Sequence, residues 1–383
     1  MTCPITRVFG PAYLDRVLRV DSPLRPTGEP PIDGSAEALA SHAPQPTPGR
    51  LTLIPAHGPP LTIQTPALWP GPTGTFPIAT PPGFLPSTPS ARLVRATAWL
   101  DDLGGMGAGF AAALRGTLTS ALGPQHDPIS DSISTLLQSY QISHNPARIP
   151  DRAADWTLLV TSGPHGDKLA VGFRGCHAAL SPATLAQVDL DPQLDLLVVA
   201  GLSTAQSLSL LTRAAPRTLR LLAPSIRTLR DLVPPLSDLA PHLDLLSCNH
   251  AEWTAIPPDT QARLRALIPL IAVTLGPRGA RLLLGDQQLE IPAFPRTHPP
   301  RDTNRAGEAF ASTLIARLWL SGWRRGQPLR PGPLRSAAQA ATAAAALVLD
   351  LDRFGFPTPA DIDSALDRGF IAEPAHPTDQ PSA

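Results

Sequence analysis

The chain has 383 residues, and its 31 basic residues balance its 31 acidic ones. That length carries a sizeable core without disulfide or metal staples. A neutral chain without basic runs argues against nucleic acid or an anionic membrane surface as the main partner. Proline is 48 of 383 and Lys168 is the only lysine, a bias we read first as codon composition. Cys3, Cys176 and Cys248 are odd in number and widely spaced, which fits reduced thiols rather than a disulfide framework or a zinc site.

The first residues, MTCPITRVFGPAYLD, lack the apolar core of a signal peptide, so a cytoplasmic location is expected. No apolar run is long enough for a transmembrane helix, and the alanine-rich stretch 337–351 reads as a buried helix. Residues 5–21 read as a strand and a sharp turn. The stretch 22–91 is dominated by Pro, Gly, Thr and Ser and is expected to be an irregular insertion. Patterned sequence resumes at ARLVRATAWLDDLGG. A glycine-opened helical pattern covers 104–122, and Ile129, Ile133, Leu136 and Leu137 give a second helix over 128–140.

TLLVTS (157–162) and KLAVGF (168–173) flank a turn and read as a hairpin. Then come continuous apolar runs at 195–202, 219–224, 243–249 and 270–276. Strands buried on both faces look like this, so the expected fold class is α/β, with a mostly parallel central sheet flanked by helices. RLLLG (281–285) and LEIPAF (289–294) suggest a closing antiparallel pair. Helices are expected over about 306–321 and 334–349, and the last residues, 368–383, form a polar, disordered tail.

In such sheets ligands sit at the carboxyl ends of the strands. The richest segment is RDTNRAGEAF (301–310). Glu308 falls in the first turn of a helix, where unpaired backbone N–H groups form an anion site. A carboxylate there could take a proton from an attacking hydroxyl, as phosphoryl transfer requires. The same glutamate would equally suit the helix dipole as an ordinary first-turn acid. Asn249 and Glu252 follow a buried strand, where a carboxylate could hold hydrated magnesium or the asparagine could simply cap a turn. The glycines of TLGPRG (274–279) could admit a nucleotide or serve a plain strand turn. Cys176, His177 and His250 have no metal-ligand spacing and read as structural or incidental.

This segment resembles the signature of the ribokinase-like, or PfkB, carbohydrate kinases, DTxGAGDxF, here DTNRAGEAF. Other segments resemble the family in order: GPAYLDRVLRVD (10–21), GGMGAGFAAAL (104–114), HDPISDSISTLLQSYQI (126–142), GFRGCHAAL (172–180), CNHAEW (248–253) and VTLGPRGARLL (273–283). The resemblance covers roughly 1–21 and 92–367. It implies a kinase domain with a small β lid near 5–21, 92–99 and 157–173, interrupted by the insertion. In the family the lid covers the sugar and often contributes to a homodimer.

The resemblance implies ATP and Mg2+, with a monovalent cation as a further option, and a small polyol substrate. Glu308 would be the base, with Arg305, Ala306 and Gly307 as the anion hole. Asn249, Glu252, Thr274, Gly276, Gly279, Asp302 and Thr303 would serve the nucleotide, with Glu252 acting on Mg2+ indirectly. Asp15, Gly104, Gly105, Gly109 and Arg174 would face the substrate. Three positions depart from the pattern: Glu308 stands for the catalytic Asp, Arg305 for the first anion-hole glycine, and Gly109 for the Asn of GGxxxN. A degenerate family member that binds a ligand or partner without efficient transfer is the alternative.

Overall fold

The structure is a computed structural model that describes residues 3–24, 33–38, 49–55, 59–67, 69, 73–79, 92–162, 167–225, 235–298, 300 and 304–368. The strands begin with β1 (Thr6–Phe9), β2 (Tyr13–Val20), β3 (Asp33–Ala38), β4 (Arg50–Pro55), β5 (Leu61–Gln64), β6 (Gly74–Ala79) and β7 (Arg92–Gly104). Next come β8 (Thr117–Thr119), β9 (Ala121–Leu122), β10 (Ala147–Arg148), β11 (Trp156–Ser162), β12 (Asp167–Phe173) and β13 (Leu196–Ala200). The last are β14 (Leu219–Ala223), β15 (Leu245–Asn249), β16 (Leu270–Thr274), β17 (Ala280–Leu284) and β18 (Gln287–Ile291).

The helices are α1 (Met106–Leu114), α2 (Pro128–Ser139), α3 (Pro182–Ala186), α4 (Thr204–Leu211) and α5 (Leu236–Leu239). They continue with α6 (His250–Ala255), α7 (Pro258–Leu267), α8 (Ala306–Leu320), α9 (Pro331–Val348) and α10 (Pro359–Asp367).

An eight-stranded sheet runs β18-β17-β16-β15-β14-β13-β1-β8. It is parallel from β8 to β16 and antiparallel at β17 and β18. Every residue of β13 and β14 is buried, which is why β13 reads as an unbroken apolar run and β14 as one interrupted by Arg220 alone. Helix α9 is lined with buried alanines, which let its backbone approach α8 closely. No described helix is long and apolar enough to cross a membrane.

Three expectations are corrected. The helical pattern over 104–122 ends at Leu114, because Arg115 turns left-handed (φ 52°) and the β-branched Thr117 and Thr119 join the sheet as β8. The first strand, β1, belongs to the central sheet rather than to the lid. The stretch 22–91 is not irregular throughout: its described parts contain β3 to β6, with apolar residues alternating into a shared core. These strands join β2, β7, β11 and β12 in a closed barrel ordered β11-β12-β3-β6-β4-β5-β7-β2. Beyond Arg368 the polar tail lies outside the described residues.

The barrel wall also roofs the site. Along β2, Leu18 points into the barrel, whereas Asp15, Val17 and Arg19 line a cavity on the other side; Val20, past the register shift after Arg19, touches both. The same two-residue alternation puts Val160 and Leu169 inside, and Thr161 and Lys168 toward the cavity.

Candidate active site

A cavity of about 1290 Å³ lies between this roof and the carboxyl ends of the central strands. Pro11, Gly201, Ser225 and Glu252, each just past a parallel strand, form its floor. Of the residues singled out from the sequence, Asp15, Gly104, Gly105, Arg174, Glu252, Arg305 and Glu308 line it.

Asp15 and Gly104 fit each other. A Cβ on Gly104 would stand 2.2 Å from Asp15 Oδ2, so only glycine lets the carboxylate lie flat against the neighbouring strand. Gly105 precedes α1 with φ 96°. Gly109 lies one turn into α1 and is buried; it does not line the cavity but faces Glu308, whose Cγ is 3.1 Å from the place of its missing Cβ.

Glu308 is half-buried in the first turn of α8. Burial pushes its carboxyl above the ordinary range, while its own backbone N–H, Arg305 and Lys168 pull the other way. Arg305 is the N-cap of α8 and sits in the left-handed region (φ 69°), with no side chain capping the helix. Its guanidinium lies 6.0 Å from the Phe354 ring. Ala306 and Gly307 lie in the first turn of α8 between the cavity-lining Arg305 and Glu308 but do not line the cavity themselves, and the space beside Gly307 is open. Asp302 and Thr303 lie outside the described residues.

Asn249 is the N-cap of α6. Its Oδ1 accepts from Glu252 N at 2.8 Å, and Glu252 Oε2 accepts from Asn249 N at 2.9 Å. The pair is therefore a capping box, and of the two only Glu252 reaches the cavity. Thr274 sits beside Asn249 in register, but Thr274, Gly276 and Gly279 do not line the cavity. Gly276 (φ 61°) stands in open space. Gly279 (φ 94°) is forced by packing, since a Cβ there would meet Ile291 O at 2.1 Å. Among the described residues, no three His, Cys, Asp or Glu side chains form a metal-binding group. A single carboxylate such as that of Glu252 suits magnesium, which keeps much of its water and takes other ligands from phosphates.

Several cavity residues escaped the sequence reading. Lys168, on β12, donates a hydrogen bond to Asn304 Oδ1 in the turn before α8, which ties the roof to the candidate anion site. Its signal was present: it is the one lysine in a chain that otherwise uses arginine. Tyr13 accepts from Arg174 at 3.0 Å, and burial pushes its phenol up to about 12. Asp155 is buried and accepts from the backbone N–H of His177 at 2.8 Å. His177 stacks edge-on against Tyr13 and lines the cavity, and burial lowers it to about 4, so it is neutral at pH 7. It is thus part of the cavity wall rather than incidental. Asp102 accepts from Tyr140 Oη and from Phe354 N, both at 2.7 Å, and so fastens β7 to the segment before α10.

Comparison with known proteins places this geometry. The chain is similar in fold to ribokinase from Thermotoga maritima, with TM-score 0.58, 16% identity and coverage of 95% of this chain and 99% of that one. It is similar to a nucleoside kinase from Burkholderia thailandensis solved with inosine, with TM-score 0.60, 15% identity and coverage of 95% and 98%. A third likeness is ribokinase from Arabidopsis thaliana complexed with ribose and ATP, with TM-score 0.56, 14% identity and coverage of 95% and 99%. No curated protein matches. The family profile of pfkB carbohydrate kinases matches residues 90–359, most of the chain, and on that match the chain belongs to the pfkB family.

Proposed function

We propose that the protein transfers a phosphoryl group from ATP to a hydroxyl of a sugar, nucleoside or related small polyol. The observation that carries this reading is that Glu308, at the N-terminus of α8, and Asp15, on the roof, face one cavity. Solved relatives that hold ribose and ATP, or inosine, support the substrate class.

In this reading Asp15 accepts hydrogen bonds from substrate hydroxyls; Gly104 leaves room for that carboxylate, and Gly105 lets the backbone of Pro11 pack against the start of α1 at the substrate end of the cavity. Arg174, held against Tyr13, closes that end. Glu308 takes the proton of the attacking hydroxyl. Its burial makes it a stronger base than an exposed carboxylate. The amides of Arg305, Ala306 and Gly307 receive the transferred phosphoryl, and Lys168 adds positive charge from the roof. Glu252, steadied by Asn249, would hold Mg2+ through water; when bound, the ion offsets phosphate charge. Thr274, Gly276 and Gly279 would border the nucleotide, with Asp302 and Thr303 assigned to its phosphates from the motif alone.

One observation favours the second reading, a family member that binds without efficient transfer. Arg305 holds a left-handed conformation where the family uses glycine, a strain of roughly 1 kcal/mol. Calorimetry with ATP, with and without Mg2+, separates the readings in its first step. Micromolar, Mg2+-dependent binding followed by ADP release with a ribose or nucleoside acceptor supports transfer. Binding without release with any acceptor supports the second reading, and absence of binding at millimolar ATP removes transfer from ATP and leaves a retained fold with another role.

A further inference from the structure

The eight-stranded barrel divides into two halves with one pattern. The lid half, β12-β11-β2-β7, is paired antiparallel, parallel, antiparallel. The inserted half, β3-β6-β4-β5, is also paired antiparallel, parallel, antiparallel. The two seams, β12 with β3 and β7 with β5, are both parallel. A half-turn that carries β12, β11, β2 and β7 onto β5, β4, β6 and β3 therefore reproduces the whole pairing scheme. It also carries one consecutive hairpin, β11–β12, onto the other, β4–β5. Two identical lids docked about a twofold axis would pair in just this way, each end strand on the opposite end strand of its partner.

Side chains follow the backbone. Leu18, Val160, Leu169 and Val171 of the lid half share one core with Leu51, Leu53, Ile63 and Ile78 of the inserted half, all nearly inaccessible to solvent. Rings pack across the halves as well: Phe76 meets Phe173 edge-on at 5.3 Å, and Trp69 meets Trp99 at 5.7 Å. Without β3 to β6, the lid would present an apolar face and two open strand edges, both strong drives to association.

We infer that the inserted segment is an internal substitute for a second lid, so that the chain closes its own clasp and works as a monomer. The lid edges that could pair with a second copy are already paired in cis. This inference does not depend on the proposed chemistry.

Light scattering on the full chain tests it. The expected result is a single species at 40.4 kDa across a wide micromolar range, and a stable species of twice that mass overturns it. In a second variant a short Gly-Ser loop replaces residues 25–91 and joins β2 directly to β7. This shortened chain should dimerise or associate further, and a well-folded monomer would contradict the assignment. Where that variant does not fold, hydrogen exchange on the intact chain decides. Amides in 51–54, 61–64, 74–76 and 78–79 should exchange as slowly as those in 158–161. Fast exchange in the inserted strands beside slow exchange in the lid would overturn the inference.

Discussion

Glu308 Cγ lies 3.1 Å from the point where a Cβ on Gly109 would stand, and its own Cβ is 3.4 Å from the same point. Gly109 sits inside α1, where glycine costs about 1 kcal/mol relative to alanine. The side chain of Glu308, with Phe356 Cζ at 3.4 Å, occupies the space a Cβ would need. The pfkB pattern has Asn and Asp at these two places, and here both have changed: one side chain has vanished and the other has grown by a methylene. The two departures fit together as one adjustment of volume.

This relationship gives the first prediction. Gly109→Ala should lower kcat about 10- to 100-fold by displacing Glu308, because a shift near 1 Å has effects of that order. Stability should change little, since the gain in helix propensity offsets the crowding. Adding Glu308→Asp to Gly109→Ala should cost less than the sum of the two single changes, and a double-mutant cycle in kcat/KM measures the coupling.

The second concerns pH. Burial raises the Glu308 carboxyl above its ordinary value, so the acid limb of kcat/KM should lie above the usual carboxylate range and rise with pH to a plateau. Lys168→Met removes a charge that pulls the carboxyl down, so it should move this limb to higher pH as well as slow the reaction. An unmoved limb would show that Lys168 does not act on the base.

The same shift has a consequence for stability. The folded state holds the Glu308 proton more tightly than the unfolded state, so its contribution is fully present below the unfolded pKa. It is lost as pH rises through the folded value. Glu308→Gln should therefore raise the melting temperature at pH 7 and make little difference near pH 4. Equal melting shifts at both pH values would contradict this.

A fourth prediction concerns Arg305. Its left-handed backbone strains any residue with a Cβ. Arg305→Gly should be more stable than Arg305→Ala by about 1 kcal/mol, read as a difference in urea midpoints. Equal midpoints would mean that the turn relaxes at no cost.

The central sheet was legible because buried parallel strands leave continuous apolar runs such as LLVVA and LIAVT. The inserted strands were not. Their alternation is short, β4 ends in Pro55, β6 contains Pro77, and proline-rich flanks mask the period of two. Glu308 and Asp15 were visible through motifs. The contacts that build the cavity around them were not, because Lys168 meets Asn304 across 136 residues and Arg174 meets Tyr13 across 161. Arg174 reaches Tyr13 through the β12–β11–β2 pairing, and Lys168 reaches Asn304 because β12 roofs the cavity opposite the start of α8.

The most direct test compares acceptor-dependent ADP release by the native chain and by Glu308→Gln, with Mg2+-ATP and a panel of sugars and nucleosides. The account predicts measurable transfer to at least one acceptor by the native chain and a loss of about 100- to 10,000-fold in the variant, the usual span for a general base. Equal rates in the two proteins, or ADP release that ignores every acceptor, would contradict it.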